Sequence, residues 1–309
     1  MLEDGFMNVF RGLKHFWEDP AYKVCQWLLH IVKPEQIPDK LFLKYQFHYV
    51  FGYPLNLKAP QTYNEKLQWL KLYDHNPLYT TLVDKYAVKE WVAERIGEQY
   101  VIPTLAAYDD VEQIDITRLP DQFVLKCTHD SGSVIICRDK KSFDFEEAKR
   151  ILARGLKNDF YKKHREWPYK SVPRRIIAEK YIDDGLSQEL RDYKFYCMNG
   201  CCKAVLIVTN KTGAGKTFYD YFDSDFNHMD FTRGHPNNPG VVTKPAGFDE
   251  MKVLSQELSK GIIHVRCDFY EADGRVYFGE MTFFPASGII PFRPEEFDYK
   301  WGRWIKLPD

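Results

Sequence analysis

A chain of 309 residues with 44% hydrophobic content is long enough for two packed lobes, and a formal net charge of -1 argues against a nucleic-acid partner. No apolar run reaches the length of a membrane span, and the opening residues carry no secretory signal. The seven cysteines form no Cys-x-x-Cys pair and the nine histidines no His-Glu-x-x-His, which sets aside zinc and dithiol chemistry and fits reduced thiols in the cytoplasm.

In chain order, residues 5–33 come first, with Phe6, Val9, Phe10, Phe16, Trp17, Trp27, Leu28 and Ile31 at helical spacing. They predict a helix packed on the main body, with a peripheral membrane or partner contact as the alternative. Thr62 and Glu65 form a capping box ahead of the apolar run 67–73. Asp84 is expected to cap a helix through Val88, Trp91, Val92 and Ile96 that Gly97 ends, and Asp144 to cap one carrying Phe145, Ala148, Ile151 and Leu152. A further helix is expected over 249–260, closed by Gly261. Strand patterns cover 122–127, 133–138, 175–182, 192–198, 203–209, 217–222, 263–271 and 276–282. Helices mixed with hairpin-like strand pairs favour an α+β fold with largely antiparallel sheets.

The last two strands carry the strongest chemistry. Ile263, Val265, Cys267 and Phe269 alternate with His264, Arg266, Asp268 and Tyr270, so Arg266 and Asp268 share a face. By the same period Phe278, Glu280 and Thr282 share a face of the next strand. Asp273-Gly274 marks the turn between them. A two-residue turn would set Asp268 opposite Gly279 and send Glu280 to the other face. An odd-length loop, such as a type I turn with a Gly bulge, sets Asp268 opposite Glu280 and is the expectation here. Two close carboxylates on rigid strands suit Mg²⁺, a hard ion that takes oxygen ligands beside phosphates.

Earlier, the strand Phe123-Val124-Leu125-Lys126 runs into a small polar loop, Cys127 to Ser133. Gly132 allows close backbone approach, Ser131 and Ser133 offer phosphate donors, and the Lys126 ammonium stands at the strand end. The strand Ile176 to Ile182 breaks at Asp183-Asp184-Gly185, which reads either as an ordinary strand end or as a linker between lobes whose backbone could read an adenine edge. Gly213-Ala214-Gly215-Lys216-Thr217 imitates a P-loop, but its first glycine is replaced by Asn210.

Taken together, these segments resemble the ATP-grasp fold, and most closely its TupA-like branch, named for teichuronopeptide synthesis. The resemblance spans about residues 41–307 and is most specific in Thr62 to Trp69, Asp84-Lys85-Tyr86, Leu119-Pro120, Phe123 to Gly132 and Gly279 to Gly288. It implies two α+β lobes sandwiching ATP after a helical N-terminal segment. The expected divisions are 1–60 (helical segment), 61–120 (substrate-side helical region), 121–182 (small lobe with the phosphate loop) and 183–309 (large lobe with the metal site).

By the same resemblance Lys85 and Lys126 contact ATP phosphates, and Ser131, Gly132 and Ser133 form the loop over them. Glu179, Lys180, Tyr181 and Ile182 border adenine. Asp268 and Glu280 bind Mg²⁺ with Thr282 as a further oxygen, while Arg266, with Lys126, is catalytic and steadies the acyl-phosphate and oxyanion. Two residues depart from the family pattern: Thr282 replaces an expected Asn, and Asp130 sits in the phosphate loop.

The implied reaction is an ATP- and Mg-dependent joining of a small-molecule or sugar-acid carboxylate to an amine or amino acid through an acyl-phosphate, in cell-surface polysaccharide synthesis. Arg174, Arg175, Arg191 and Arg293 are candidate carboxylate clamps. Three rivals stand beside it. One is a nucleotide-sugar glycosyltransferase, whose acidic motif Asp192-Tyr193 or Asp223-Ser224-Asp225 would supply; another is a phosphotransferase on the same fold; the third is a nucleotide-binding protein without turnover.

Overall fold

The computed structural model describes residues 20–29, 31–183, 190–210 and 216–308. The apolar positions Phe6 to Trp17, the Asp184-Gly185 step and the P-loop imitation at Gly213 to Gly215 therefore lie outside the described residues. The chain forms two compact units, one of Met1–His75, Lys162–Glu166 and Phe284–Asp309, the other of Asn76–Tyr161 and Trp167–Phe283.

The first unit is built from helices Pro20–Leu28, Asp39–Phe51, Tyr63–Tyr73 and Glu296–Trp304. Helix Tyr63–Tyr73 starts as its sequence predicts: Glu65 N donates to Thr62 Oγ1 at 3.1 Å and Thr62 N to Glu65 Oε2 at 3.0 Å. Asn64 Nδ2 donates to Asp298 Oδ2 at 2.7 Å, and the Tyr63 ring meets Trp301 edge-on, which fixes the C-terminal helix against it. In helix Pro20–Leu28, Cys25 is buried with Ile37 and Phe42, whereas Val24 and Trp27, like the nearby Ile31, stay exposed. No helix among the described residues is long and apolar enough to cross a membrane.

The second unit holds two antiparallel sheets. The first contains β1 (Thr104–Tyr108), β2 (Phe123–Cys127), β3 (Val134–Cys137) and β4 (Ile176–Lys180), in the order β1-β4-β2-β3. The second contains β5 (Asp192–Met198), β6 (Cys201–Thr209), β7 (Phe218–Asp223), β8 (His264–Ala272) and β9 (Arg275–Thr282), in the order β7-β6-β5-β8-β9. The eight expected strands are all present. β1 adds to them; with two alanines and Leu105 turned outward, it carries little strand signal.

Each sheet buries one face under a helix. Helix Phe145–Lys157, capped by Asp144, lays Leu152 against Phe123, Leu125 and Cys127. Helix Phe248–Leu258 sets Phe248 against Phe195, and Cys197 and Cys267 aim their thiols at the Ser255 carbonyl. Because side chains alternate along a strand, Asp192, Lys194 and Tyr196 emerge on the face turned away from that helix. A parallel bridge between Val101, just before β1, and Phe278 of β9 ties the two sheets together.

Two local expectations are corrected. Asp84 is not the cap of helix Val88–Ile96, which starts after Ala87 without a side-chain cap. It ends helix Leu78–Val83, and its carboxylate accepts from Tyr86 N at 2.9 Å, closing the turn that carries Lys85.

The second correction concerns the metal hairpin. The loop is not odd: Ala272 pairs with Arg275 across a two-residue Asp273-Gly274 turn with both residues at positive φ, 52° and 68°. The expected pairing of Asp268 with Glu280 survives because a bulge lies inside the hairpin, where Phe269 pairs with Phe278 and Gly279 is the extra residue. Phe278 consequently meets the Phe269 ring on the core side and does not share a face with Glu280 and Thr282. A Cβ at Gly279 would lie 2.9 Å from the Tyr270 ring and 3.1 Å from the Asp268 carbonyl, so the bulge needs glycine there.

Candidate functional site

On the uncovered face of the second sheet, Lys194, Asp268 and Glu280 lie in one cross-strand row, and Tyr196, Arg266 and Thr282 in the next. Arg266 binds Asp268 through two bonds, Nε to Oδ1 at 2.6 Å and Nη2 to Oδ2 at 2.7 Å. Its Nη2 also reaches Glu280 Oε1 at 3.0 Å and Thr282 Oγ1 at 3.1 Å. Lys194 Nζ joins Asp268 Oδ2 at 2.5 Å and Asp192 Oδ2 at 3.2 Å. Arg266 and Lys194 thus connect three carboxylates, and Lys85 adds a third cation 3.9 Å from Glu280 Oε2.

Burial raises the Asp268 carboxyl above its ordinary value, with Arg266 and Lys194 pulling it back. Burial also works against ionising Glu280, but Lys85, Arg266 and Lys194 overcome it and hold Glu280 down at about 2. Lys194 is raised, because Asp268 and Asp192 outweigh the cost of burying its charge.

The first sheet supplies a cationic excess. Lys126, at the end of β2, donates to Glu179 Oε2 at 2.6 Å, and Lys89 to Glu179 Oε1 at 2.5 Å. Burial opposes ionisation of Glu179, yet Lys126 and Lys89 hold it below the usual carboxylate range. Lys85 connects the two sides: its backbone N donates to Thr128 O at 3.1 Å, its ammonium to Asp130 O at 2.5 Å, and the same ammonium stands 3.9 Å from Glu280 Oε2.

The phosphate-loop residues divide. Ser131 and Gly132 are exposed, with Gly132 at φ 107°. Ser133 is buried and its hydroxyl donates to Asp130 Oδ2 at 2.6 Å. That bond explains how an acidic residue is tolerated in the loop, since Asp130 turns inward, and it takes Ser133 Oγ away from the loop's open side.

In the linker, Lys180 is exposed while its N donates to Pro103 O at 3.0 Å, and Tyr181 Oη donates to Asp183 Oδ2 at 3.2 Å. Ile182 is half-buried beside them. Arg174 and Arg175 form surface ion pairs with Asp159 and Asp109.

The sequence reading missed Lys89 and Lys194. Lys194 shares the strand parity of Asp192, which would have put it on the site face. Lys89 follows Lys85 by four residues, a helical spacing that the turn at Asp84 hides.

Asp268, Glu280 and Thr282 together offer hard oxygen ligands, the donor chemistry a magnesium ion requires. Among the described residues no group of three or more His, Cys, Asp or Glu side chains has the arrangement of a metal cage. The residues therefore fit an ion that draws further ligands from phosphate oxygens, in a place where Arg266, Lys194 and Lys85 balance the carboxylates.

A family model described as TupA-like ATPgrasp matches residues 65–306. No curated protein matches the sequence. Among solved structures, the chain is similar to D-alanine–D-alanine ligase from Bacillus anthracis complexed with ATP (15% identity, 66% of this chain and 55% of that one, TM-score 0.39). It is also similar to D-alanine–D-alanine ligase from Helicobacter pylori (13% identity, 81% and 70%, TM-score 0.42). A third likeness is to the ATP-grasp ligase PsnB complexed with minimal precursor (10% identity, 71% and 59%, TM-score 0.40). The chain thus spans about 55% of the length of the Bacillus anthracis ligase. At these identities and scores the likenesses assign no role to any residue.

Proposed function

The chain belongs to the TupA-like ATP-grasp family, and from that premise we propose that it is an ATP- and magnesium-dependent carboxylate–amine ligase working through an acyl-phosphate. The observation that carries the reading is Lys85. One ammonium touches the phosphate-loop carbonyl of Asp130 and stands beside Glu280 on the metal face, so loop, lysine and carboxylate border one space within the second unit.

In this reading Lys85 and Lys126 hold the phosphates of ATP, and the linker Lys180 to Ile182 borders adenine, while the Glu179 carboxylate is taken by Lys89 and Lys126. Asp268, Glu280 and Thr282 hold magnesium, which when bound supplies charge neutralisation at the transferring phosphoryl group. Arg266 faces the same space with a fixed guanidinium and stabilises negative charge developing on the acyl carbon's oxygen. Ser131 and Gly132, exposed at the loop tip, cover the phosphates and exclude water from the acyl-phosphate. The substrates are a small-molecule or sugar-acid carboxylate and an amine or amino acid, and the setting is cell-surface polysaccharide synthesis in the cytoplasm.

A scan of uronic acids, amino acids and amines for ADP release, with the product weighed by mass spectrometry, tests it. An amide product formed with one ADP supports the reading. A phosphorylated product that no amine converts points to phosphotransfer, and nucleotide-sugar consumption without ADP to glycosyl transfer.

A further inference from the structure

Glu179 is a buried carboxylate held by two lysines that differ in one respect. Its side chain is 4% exposed, with Lys89 on Oε1 at 2.5 Å and Lys126 on Oε2 at 2.6 Å. Lys89 also donates to the Ile102 carbonyl at 2.7 Å and to Thr104 Oγ1 at 2.7 Å. An ammonium has three donors, so all three of Lys89 are taken by protein. Lys126 spends one donor on Glu179, and among the described residues its other two meet no protein acceptor.

A buried lysine–glutamate pair on its own is close to neutral and has little attraction for an anion. The second lysine changes that balance. With Lys89 saturating one side of the carboxylate, the cluster keeps a net positive charge, and its spare donors lie on Lys126 at the end of β2, beside the phosphate loop.

We propose that Lys89 is a positioning residue for nucleotide binding: by neutralising Glu179 from behind, it leaves Lys126 oriented yet positively charged toward a polyphosphate. Lys89 itself touches no ligand. The inference deepens the nucleotide reading above and rests on it. It also gives Glu179 a role distinct from lining adenine, that of a fixed strut that aims Lys126.

The test is calorimetric titration of the full chain with ATP and magnesium, for the wild type, Lys89→Met, Lys89→Arg and the double variant Lys89→Met/Glu179→Gln. Lys89→Met leaves Lys126 neutralised by Glu179, and ATP affinity is expected to fall about tenfold. Lys89→Arg keeps the charge and stays within about threefold of wild type. In the double variant Lys126 is the remaining charge, with a neutral acceptor to hold it, and affinity returns to within about threefold. A merely structural Lys89 gives the contrary pattern, in which the second change adds to the loss.

Wild-type affinity in Lys89→Met, or a double variant weaker than the single one, overturns the inference alone. A wild type that binds no ATP overturns the nucleotide reading and the inference with it. Should Lys89→Met not fold, Lys89→Gln takes its place in the same comparison: a loss of about tenfold that Lys89→Gln/Glu179→Gln restores to within about threefold supports the role of Lys89, and wild-type affinity in Lys89→Gln overturns it.

Discussion

Glu179 on the first sheet and Asp268 on the second are both buried, and each accepts from two cations. Their neighbourhoods differ in proportion. Around Glu179, two lysines share one carboxylate; around Asp268, Arg266 and Lys194 are shared with Glu280 and Asp192 as well. In the proposed reading the first cluster, with its excess cation, meets phosphate oxygens, and the second, with its three carboxylates, meets a further cation. On that reading the same side-chain types serve opposite duties, and Lys85, 3.9 Å from Glu280 Oε2, stands between them.

The comparison can be broken most severely at its best-connected residue. Arg266→Met leaves Asp268 buried with Lys194 alone and takes a partner from Glu280 and Thr282. Uncoupling a buried pair of this kind costs about 3–5 kcal/mol, which urea unfolding would register; a loss below about 1 kcal/mol would mean the arginine is dispensable to the face. Glu280→Ala is expected to lower ATP turnover about 100-fold or more while keeping the fold, because its side chain is 35% exposed. Unchanged turnover would remove Glu280 from the metal site.

Gly279→Ala sharpens the geometric side. The added Cβ meets Tyr270 and the Asp268 carbonyl, so a loss of about 1–3 kcal/mol is expected, with the Asp268–Glu280 register disturbed. Wild-type unfolding in that variant would show that the bulge tolerates a side chain.

The smallest effect near neutral pH comes from His264, on the face of Arg266 and Asp268. Burial, with Arg233 and Arg266 nearby, lowers it to about 3 despite its bond to the Phe283 carbonyl. Its folded value lies below its unfolded value, so its contribution is complete above about 6.5 and is lost as pH falls from there toward about 3. His264→Gln should flatten the stability profile across that window; an unaltered profile would assign the acid sensitivity elsewhere.

What the sequence disclosed follows the range of each signal. Period-two alternation over 263–282 placed Arg266, Asp268 and Thr282 on their face, and caps at Thr62 and Asp144 set two helix starts. The register between β8 and β9 could not be read from the turn, because Asp273-Gly274 makes the tight loop its residues favour and the compensating bulge lies several residues away. Gly279 was the visible trace of it.

Lys89 and Lys194 were missed for a different reason. Lysines are common on surfaces, and only the fold shows that these two reach buried carboxylates. Ser133 was expected to face the loop's open side, but its bond to Asp130 depends on how the loop folds back, which composition does not encode.

The division of labour between the two sheets is tested most directly by the magnesium dependence of ATP affinity in Lys126→Ala and Glu280→Ala, measured by calorimetry with magnesium and with chelator. Lys126→Ala should weaken ATP about tenfold in both conditions. Glu280→Ala should weaken it with magnesium alone and leave the chelator value unchanged. Equal losses in both conditions for both variants would contradict the separate duties of Glu179 and Asp268.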